Sequence, residues 1–207
     1  MEKPIGILYE HPRWFAPLLA ELERRGVAYE RVHAAQHGFD PDGRESPHSL
    51  LVNRMSPSAW TRGNGHAIFH TLHYLTYLDD LGANVLNGRR AYELELSKAR
   101  QASLLAELGI AHPSTRVIAD PQQAVAAAEE LAFPVLVKPN IGGSGVGIRS
   151  FETIDELAAA ELDLGLDGTA LVQEQLPAEG NAVVRIEILG GEFLYAIRLL
   201  LAESSFN

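Results

Sequence analysis

The 207-residue chain has no cysteine. Composition therefore excludes disulfides, thiolate metal sites and a cysteine nucleophile. Basic residues are also scarce, with 17 Lys and Arg against 27 Asp and Glu and a formal net charge of −10. A general binder of phosphate backbones needs a net basic face to gain from counterion release, so nucleic acid is not an expected partner. No apolar run approaches the ~18 residues of a membrane span. Met1-Glu2-Lys3-Pro4 leads straight into an apolar strand, without the charged, apolar and small-residue regions of an export signal. No membrane is expected as a partner, and the expected location is the cytoplasm.

With 46% hydrophobic and 21% charged residues, the chain has the profile of a folded globular protein. Its length exceeds the ~100–150 residues of a typical single domain, which predicts more than one unit. Residues 5–9 read as a buried strand. Phe15, Leu18, Leu19 and Leu22 form the apolar stripe of a helix from Trp14 to Arg25, stopped by Gly26. Strands at 28–33, 50–53 and 84–86 and a helix over 67–81, with Ile68, Leu72, Leu75 and Leu78 inward, predict a small parallel α/β unit. The Asn87-Gly88 turn marks its expected boundary.

Beyond it, Ser97 can cap a helix over 98–108. Strands follow at 115–118, 135–138, 148–151 and 170–174, with an Ala-rich helix over 121–131 and another from Thr153 or Asp155 toward Ala160. Two last strands, 183–189 and 193–201, flank Gly190-Gly191. A two-residue turn there predicts that Val184, Ile186, Ile188, Phe193, Tyr195, Ile197 and Leu199 share one face, with Arg185, Glu187, Glu192 and Arg198 opposite.

The chemistry-bearing stretch is Gly142-Gly143-Ser144-Gly145-Val146-Gly147. A row of small residues lets backbone N–H groups approach an anion. Ile148 follows Gly147 where a Walker A loop needs Lys, and no G-x-G-x-x-G register fits. The distinguishing residue is Lys138, which ends a strand just before Pro139 and so delivers an amine to the mouth of the loop.

Ser97-Lys98 with Leu104-Leu105, Gly109-Ile110 and Pro113, then Pro134-Val135-Leu136-Val137-Lys138-Pro139 with its glycine loop, then Leu171-Val172-Gln173-Glu174, resemble the ordered motifs of the ATP-grasp superfamily. The resemblance spans about residues 89–200. Arg185-x-Glu187-x-Leu189-Gly190-Gly191 and Ala196-Ile197-Arg198 are most similar to the branch of the ribosomal-protein glutamate ligase and glutathione synthetase.

This resemblance implies an α/β and α+β chain: a pre-ATP-grasp unit at 1–88, the first ATP-grasp subdomain at 89–176, and the start of the second, incomplete, at 177–207. It implies that ATP is the cofactor. Lys98, Lys138 and the flap Gly142, Gly143, Ser144, Gly145, Val146 and Gly147 would hold its phosphates. Gln173, Glu174 and the backbone of Gln175 and Leu176 would read adenine, and Arg185 and Arg198 would act in catalysis. Where some relatives carry a ribose-binding Asp this chain has Val183, leaving Glu179 or Asn181 for that role.

Mg2+ is implied as well, with its ligands expected beyond residue 207 and none within the chain. The implied reaction joins a small-molecule or peptide carboxylate to an amine through an acyl phosphate, with self-association into a homo-oligomer left open. The alternative is a regulatory module that binds ATP without turnover.

Two further candidates come from position. Asn53 and Arg54 follow a parallel strand on the side where open α/β sheets bind ligands, which suits a substrate carboxylate as well as a plain surface loop. His66, His70 and His73 share a helical stripe, read as an ordinary helix face because no fourth ligand is near in sequence.

Overall fold

The computed structural model describes residues 3–11 and 13–200. The chain divides into two compact units, residues 1–101 and 102–207. In the first, β1 (Ile5–Tyr9), β2 (Tyr29–His33), β3 (Leu50–Asn53) and β4 (Val85–Leu86) form a wholly parallel sheet in the order β2-β1-β3-β4. Helix α1 (Ala16–Arg24) lays Leu19, with Phe15 just before it, against Ile7 of β1. Fully burying such a side chain is worth roughly 1.5–3 kcal/mol. Leu18, expected on the same stripe, is instead 36% exposed, so the apolar stripe of α1 is narrower than its sequence suggests. Helix α2 (Gly65–Asp80) buries Ile68, Tyr74, Leu75 and Leu78.

Helix α3 (Arg89–Leu96) was not legible in the sequence, because its run of Arg, Glu and Leu buries only Tyr92 and Leu96. Tertiary contact holds it: the Tyr92 hydroxyl donates to the Ile68 carbonyl of α2 at 3.2 Å. Both helices lie in the first compact unit, residues 1–101. Helix α4 (Lys98–Glu107) follows, and the Ser97 hydroxyl accepts from the Arg100 N–H at 3.2 Å.

The second unit has an antiparallel sheet, β5 (Thr115–Ile118), β6 (Val135–Pro139), β7 (Arg149–Phe151) and β8 (Ala170–Glu174), in the order β5-β8-β6-β7. Ile118, Val135, Val137, Phe151 and Val172 pack with Leu157 of α6 (Ile154–Ala158) and with Ala124 and Ala128 of α5 (Ala124–Ala128). The helix expected over 121–131 is a 3-10 turn at Pro121–Gln123, closed by an Asp120–Gln123 capping box, followed by the short α5. Strand alternation leaves Leu136, Lys138, Leu171 and Gln173 on the face away from α5 and α6.

β9 (Ala182–Leu189) and β10 (Glu192–Leu200) form a separate two-stranded sheet, and Leu201 lies outside the described residues. Gly190 and Gly191 both have positive φ, 63° and 87°, as a primed two-residue turn requires. The expected faces are corrected by a bulge. Phe193 pairs with Ile188, but Tyr195 then pairs with Glu187 and Arg198 with Val184. The extra residue, Leu194, moves every later side chain of β10 to the other face. Tyr195, Ile197 and Leu199 thus join Arg185 and Glu187, while Arg198 joins Val184, Ile186 and Ile188. Among the described residues, no helix is long and apolar enough to cross a membrane.

Candidate functional site

Each unit carries one candidate site. In the second unit, Lys138 Nζ donates to Gln173 Oε1 at 2.5 Å, Gln173 Nε2 donates to Thr115 Oγ1 at 2.7 Å, and that hydroxyl donates to the Pro113 carbonyl at 2.9 Å. The three side chains come from β6, β8 and β5, which alternation turns to one face. Burial lowers the pKa of Lys138. Its partner is a neutral amide, and no ion pair with an acid offsets its charge among the described residues. A half-buried ammonium in this state favours an incoming anion.

The glycine loop begins at Gly142, three residues beyond the end of β6. Ser144, Gly145 and Gly147 take positive φ of 55°, 69° and 79°, and two tight turns follow, Val146 N–H to Gly143 O and Ile148 N–H to Gly145 O, each 3.2 Å. Gly147 is required by close approach, since a Cβ there would lie 2.8 Å from Pro139 Cγ. Gly165 meets Pro139 in the same way, at 2.6 Å from its Cβ. Both contacts close on the proline that follows Lys138, so the returning loop is pressed against the strand end that carries the lysine.

The residues expected to read adenine, 173–176, have their own partners in the fold. The Gln173 side chain is engaged by Lys138 and Thr115. The Glu174 carboxylate lies on the helix side of the sheet, where it accepts from the Ala132 N–H at 3.0 Å; that bond, outweighing burial, holds its pKa low. Gln175 donates its N–H to the Pro134 carbonyl at 2.9 Å and accepts from the Ser150 hydroxyl at 2.5 Å through its side chain. Leu176 stands exposed at the end of the strand.

A family model described as the RimK-like ATP-grasp domain matches residues 96–207. The chain belongs to this family. A D-alanine–D-alanine ligase of Pseudomonas entomophila is 36% identical over 106 residues, covering 50% of this chain and 33% of that protein. The matched stretch thus spans about a third of the length of that curated relative. Among solved structures, a RimK-domain ATP-grasp protein from Sphaerobacter thermophilus superposes with a TM-score of 0.66 at 22% identity, covering 88% of this chain and 68% of that one. The ATP-grasp ligase PsnB, solved with a minimal precursor, gives 0.62 at 20% identity, covering 99% and 74%.

Within this RimK-like chain, Lys98 opens α4 and is partly buried. Arg185 and Arg198 are exposed on opposite faces of the hairpin, because of the bulge. Glu179 and Asn181 bound a short exposed 3-10 turn. Among the described residues no group of three His, Asp or Glu side chains is placed to hold a metal ion. His66 and His73 are exposed, whereas His70 packs 5.8 Å from His37 and from Phe39, ring to ring.

The first unit of the RimK-like chain holds a cavity of 190 Å³ lined by Trp14, Phe15, Asn53, Arg54, Asn87 and Glu95, among others. It opens at the carboxyl ends of the parallel strands. Asn53 is buried, donating from Nδ2 to the Asn87 carbonyl at 3.0 Å and accepting from the Met55 N–H at 3.0 Å. Its amide therefore ties β3 to the turn after β4 and shapes the cavity. Arg54 is exposed, with its guanidinium 5.2 Å above the Phe15 ring. Trp14 is stacked on His11 at 4.2 Å and lies beneath Arg62 at 5.5 Å. Arg62 pairs with the buried Glu10, which also accepts from Asn64 at 2.7 Å. Burial alone would raise the pKa of Glu10, but the Arg62 and Asn64 bonds outweigh it and hold the carboxyl below its ordinary value.

Thr115, Gly165, Trp14, Glu10 and Glu95 were not singled out in the sequence. Each gains its place from segments far along the chain: Thr115 from Gln173, Gly165 from Pro139, Trp14 and Glu10 from Arg62, and Glu95 from the cavity it shares with Arg54.

Proposed function

We propose that this protein is an ATP-dependent carboxylate–amine ligase. The γ-phosphoryl group of ATP passes to a carboxylate oxygen, giving an acyl phosphate and ADP. A neutral amine then attacks the acyl carbon, phosphate leaves, and the amine's proton is released as the amide forms. No side-chain nucleophile is required, because positioning and charge stabilisation do the chemistry.

The observation that carries this reading is Lys138, a half-buried cation without an ion-pair partner among the described residues, held at the mouth of a loop of small residues. A polyphosphate would supply the missing counter-charge, and the Gln173–Thr115 chain fixes the direction of the amine. Residues 142–147 would complete the phosphate cradle. The strand end at 174–176 would meet adenine through backbone groups, and Arg185 or Arg198 would reach the transferring phosphoryl group. Magnesium, when bound, would neutralise charge between the phosphates. The described residues do not provide a ligand set for it, and no step is assigned through it.

The names of the relatives support an amino acid or peptide as the carboxylate: one is a D-alanine–D-alanine ligase, and PsnB was solved with a precursor. We place the protein in the cytoplasm, where ATP and free amino acids are abundant.

Phosphate release from ATP and Mg2+ with a panel of amino acids tests the reading, with Lys138→Met as the control. Release should require both a carboxylate and an amine and should fall by about 100-fold in the variant. Release that ignores the substitution would remove Lys138 from the site, and ATP binding without release for any pair would favour the regulatory module.

A further inference from the structure

Two side chains of opposite charge line the cavity of the first unit without meeting. Arg54 directly follows β3, and Glu95 lies in the last turn of α3. They form no ion pair with each other, and neither has another ion-pair partner among the described residues. Elsewhere in the same unit Arg62 pairs with Glu10 and Arg89 with Asp79 and Glu93. Arg54 is braced instead by the Phe15 ring at 5.2 Å, and its backbone N–H donates to the Leu8 carbonyl at 2.8 Å. The guanidinium is thus oriented but left without an anion. Glu95 stays exposed at the rim of the cavity, and partial desolvation raises its pKa while Arg54 pulls the other way.

The cavity measures 190 Å³, many times the ~10–15 Å³ that one water needs. Its walls are the Trp14 and Phe15 rings and the tied amides of Asn53 and Asn87. A cation and an anion held apart in one small cavity are complementary to a ligand that carries both charges on neighbouring atoms.

We propose that this cavity binds a free α-amino acid as its zwitterion, with the carboxylate on the Arg54 guanidinium and the ammonium on the Glu95 carboxylate. The planar fork of Arg54 suits two-point recognition of a carboxylate. Glu95 makes the site select against plain carboxylic acids, which would leave its charge without a partner. The assignment of that amino acid as a ligase substrate rests on the function proposed above. The binding itself does not.

The test is an NMR titration of the protein with L-alanine, D-alanine and L-glutamate beside propionate, glutarate and alaninamide. At least one amino acid should give saturable shifts at residues 53–56 and at the Trp14 indole, with the deaminated acids and the amide weaker by about ten-fold or more. Glu95→Gln should remove the preference for the amino acid over its deaminated acid, and Arg54→Gln the preference over its amide. Melting of Glu95→Gln should stay at or above that of the parent, because the lost carboxylate is a partly desolvated charge without a salt bridge. Equal binding of propionate and alanine, unchanged amino-acid affinity in Glu95→Gln, or no saturable shift from any probe would overturn the proposal.

Nucleotide titration of the same sample separates the two readings. Failure to bind ATP would sink the ligase while leaving the zwitterion cavity intact, and loss of amino-acid discrimination would do the reverse.

Discussion

Lys138 Nζ and Gln173 Oε1 lie 2.5 Å apart on neighbouring strands, with Lys138 opposite Leu171 and Gln173 opposite Leu136 in the register of β6 and β8. The bond holds a desolvated ammonium in place without neutralising it. Folding thus fixes the direction of the amine and leaves its charge without an ion-pair partner among the described residues.

The pH dependence follows from the lowered pKa of Lys138. Between its folded value and the higher unfolded one, the unfolded chain binds more protons, so this group makes stability rise with pH through that window. Lys138→Met should melt no lower than the parent at neutral pH, while its affinity for ATP falls by about 10- to 100-fold. Thermal melts and nucleotide titrations across pH check both halves. A marked loss of stability would mean that the ammonium is a structural cation.

Gly147→Ala should disturb the loop more than the fold. The new Cβ would meet the rigid Pro139 ring at 2.8 Å on a residue with φ of 79°, at a cost of about 1–3 kcal/mol. We expect weaker ATP binding with a modest drop in melting temperature. Gly26→Ala, also at positive φ but with nothing within 4 Å of its Cβ, should melt slightly lower and bind ATP normally. Equal ATP affinities in the two variants would show that the contact with Pro139 does not shape the loop.

Glu10→Gln should unseat Arg62 and, through it, Trp14. Loss of one partner from a largely buried pair costs about 3 kcal/mol, and the tryptophan emission should shift as the stack with Arg62 loosens. Because the folded pKa of Glu10 lies below its ordinary 4.5, its contribution is present above the unfolded value and is lost as pH falls through the folded one. Acid titration of the parent and the variant, followed by melting temperature, should converge at low pH.

Arg185→Ala and Arg198→Ala should have unequal effects on ATP binding. The bulge at Leu194 puts the two guanidinium groups on opposite faces of the hairpin, so a ligand lying on one face reaches only one of them. Equal losses in calorimetric titrations would show that the register seen here changes when nucleotide binds.

Much of the fold was legible because its signals are local. Alternation in residues 135–138 and 170–174, the stop at Gly26 and the Gly190-Gly191 turn all act within a few residues, and the strands they predict are present. Helix α3 was missed because its stability comes from Tyr92 docking on α2 and not from its own apolar stripe. The faces of β10 were misassigned because a bulge leaves no mark in the hydrophobic pattern of a strand that is apolar at both phases.

The candidate site divides in the same way. By itself the sequence determined the family, the strand that carries Lys138 and the loop of small residues after it, since these depend on residue type and spacing along one stretch. Only the tertiary structure decided that Gln173 serves Lys138, that Glu174 turns to the helix side, and that Arg54 and Glu95 line one cavity without pairing. Those roles depend on which strand lies beside which and on which side chains packing brings around one cavity, and neither is set until distant segments pack together.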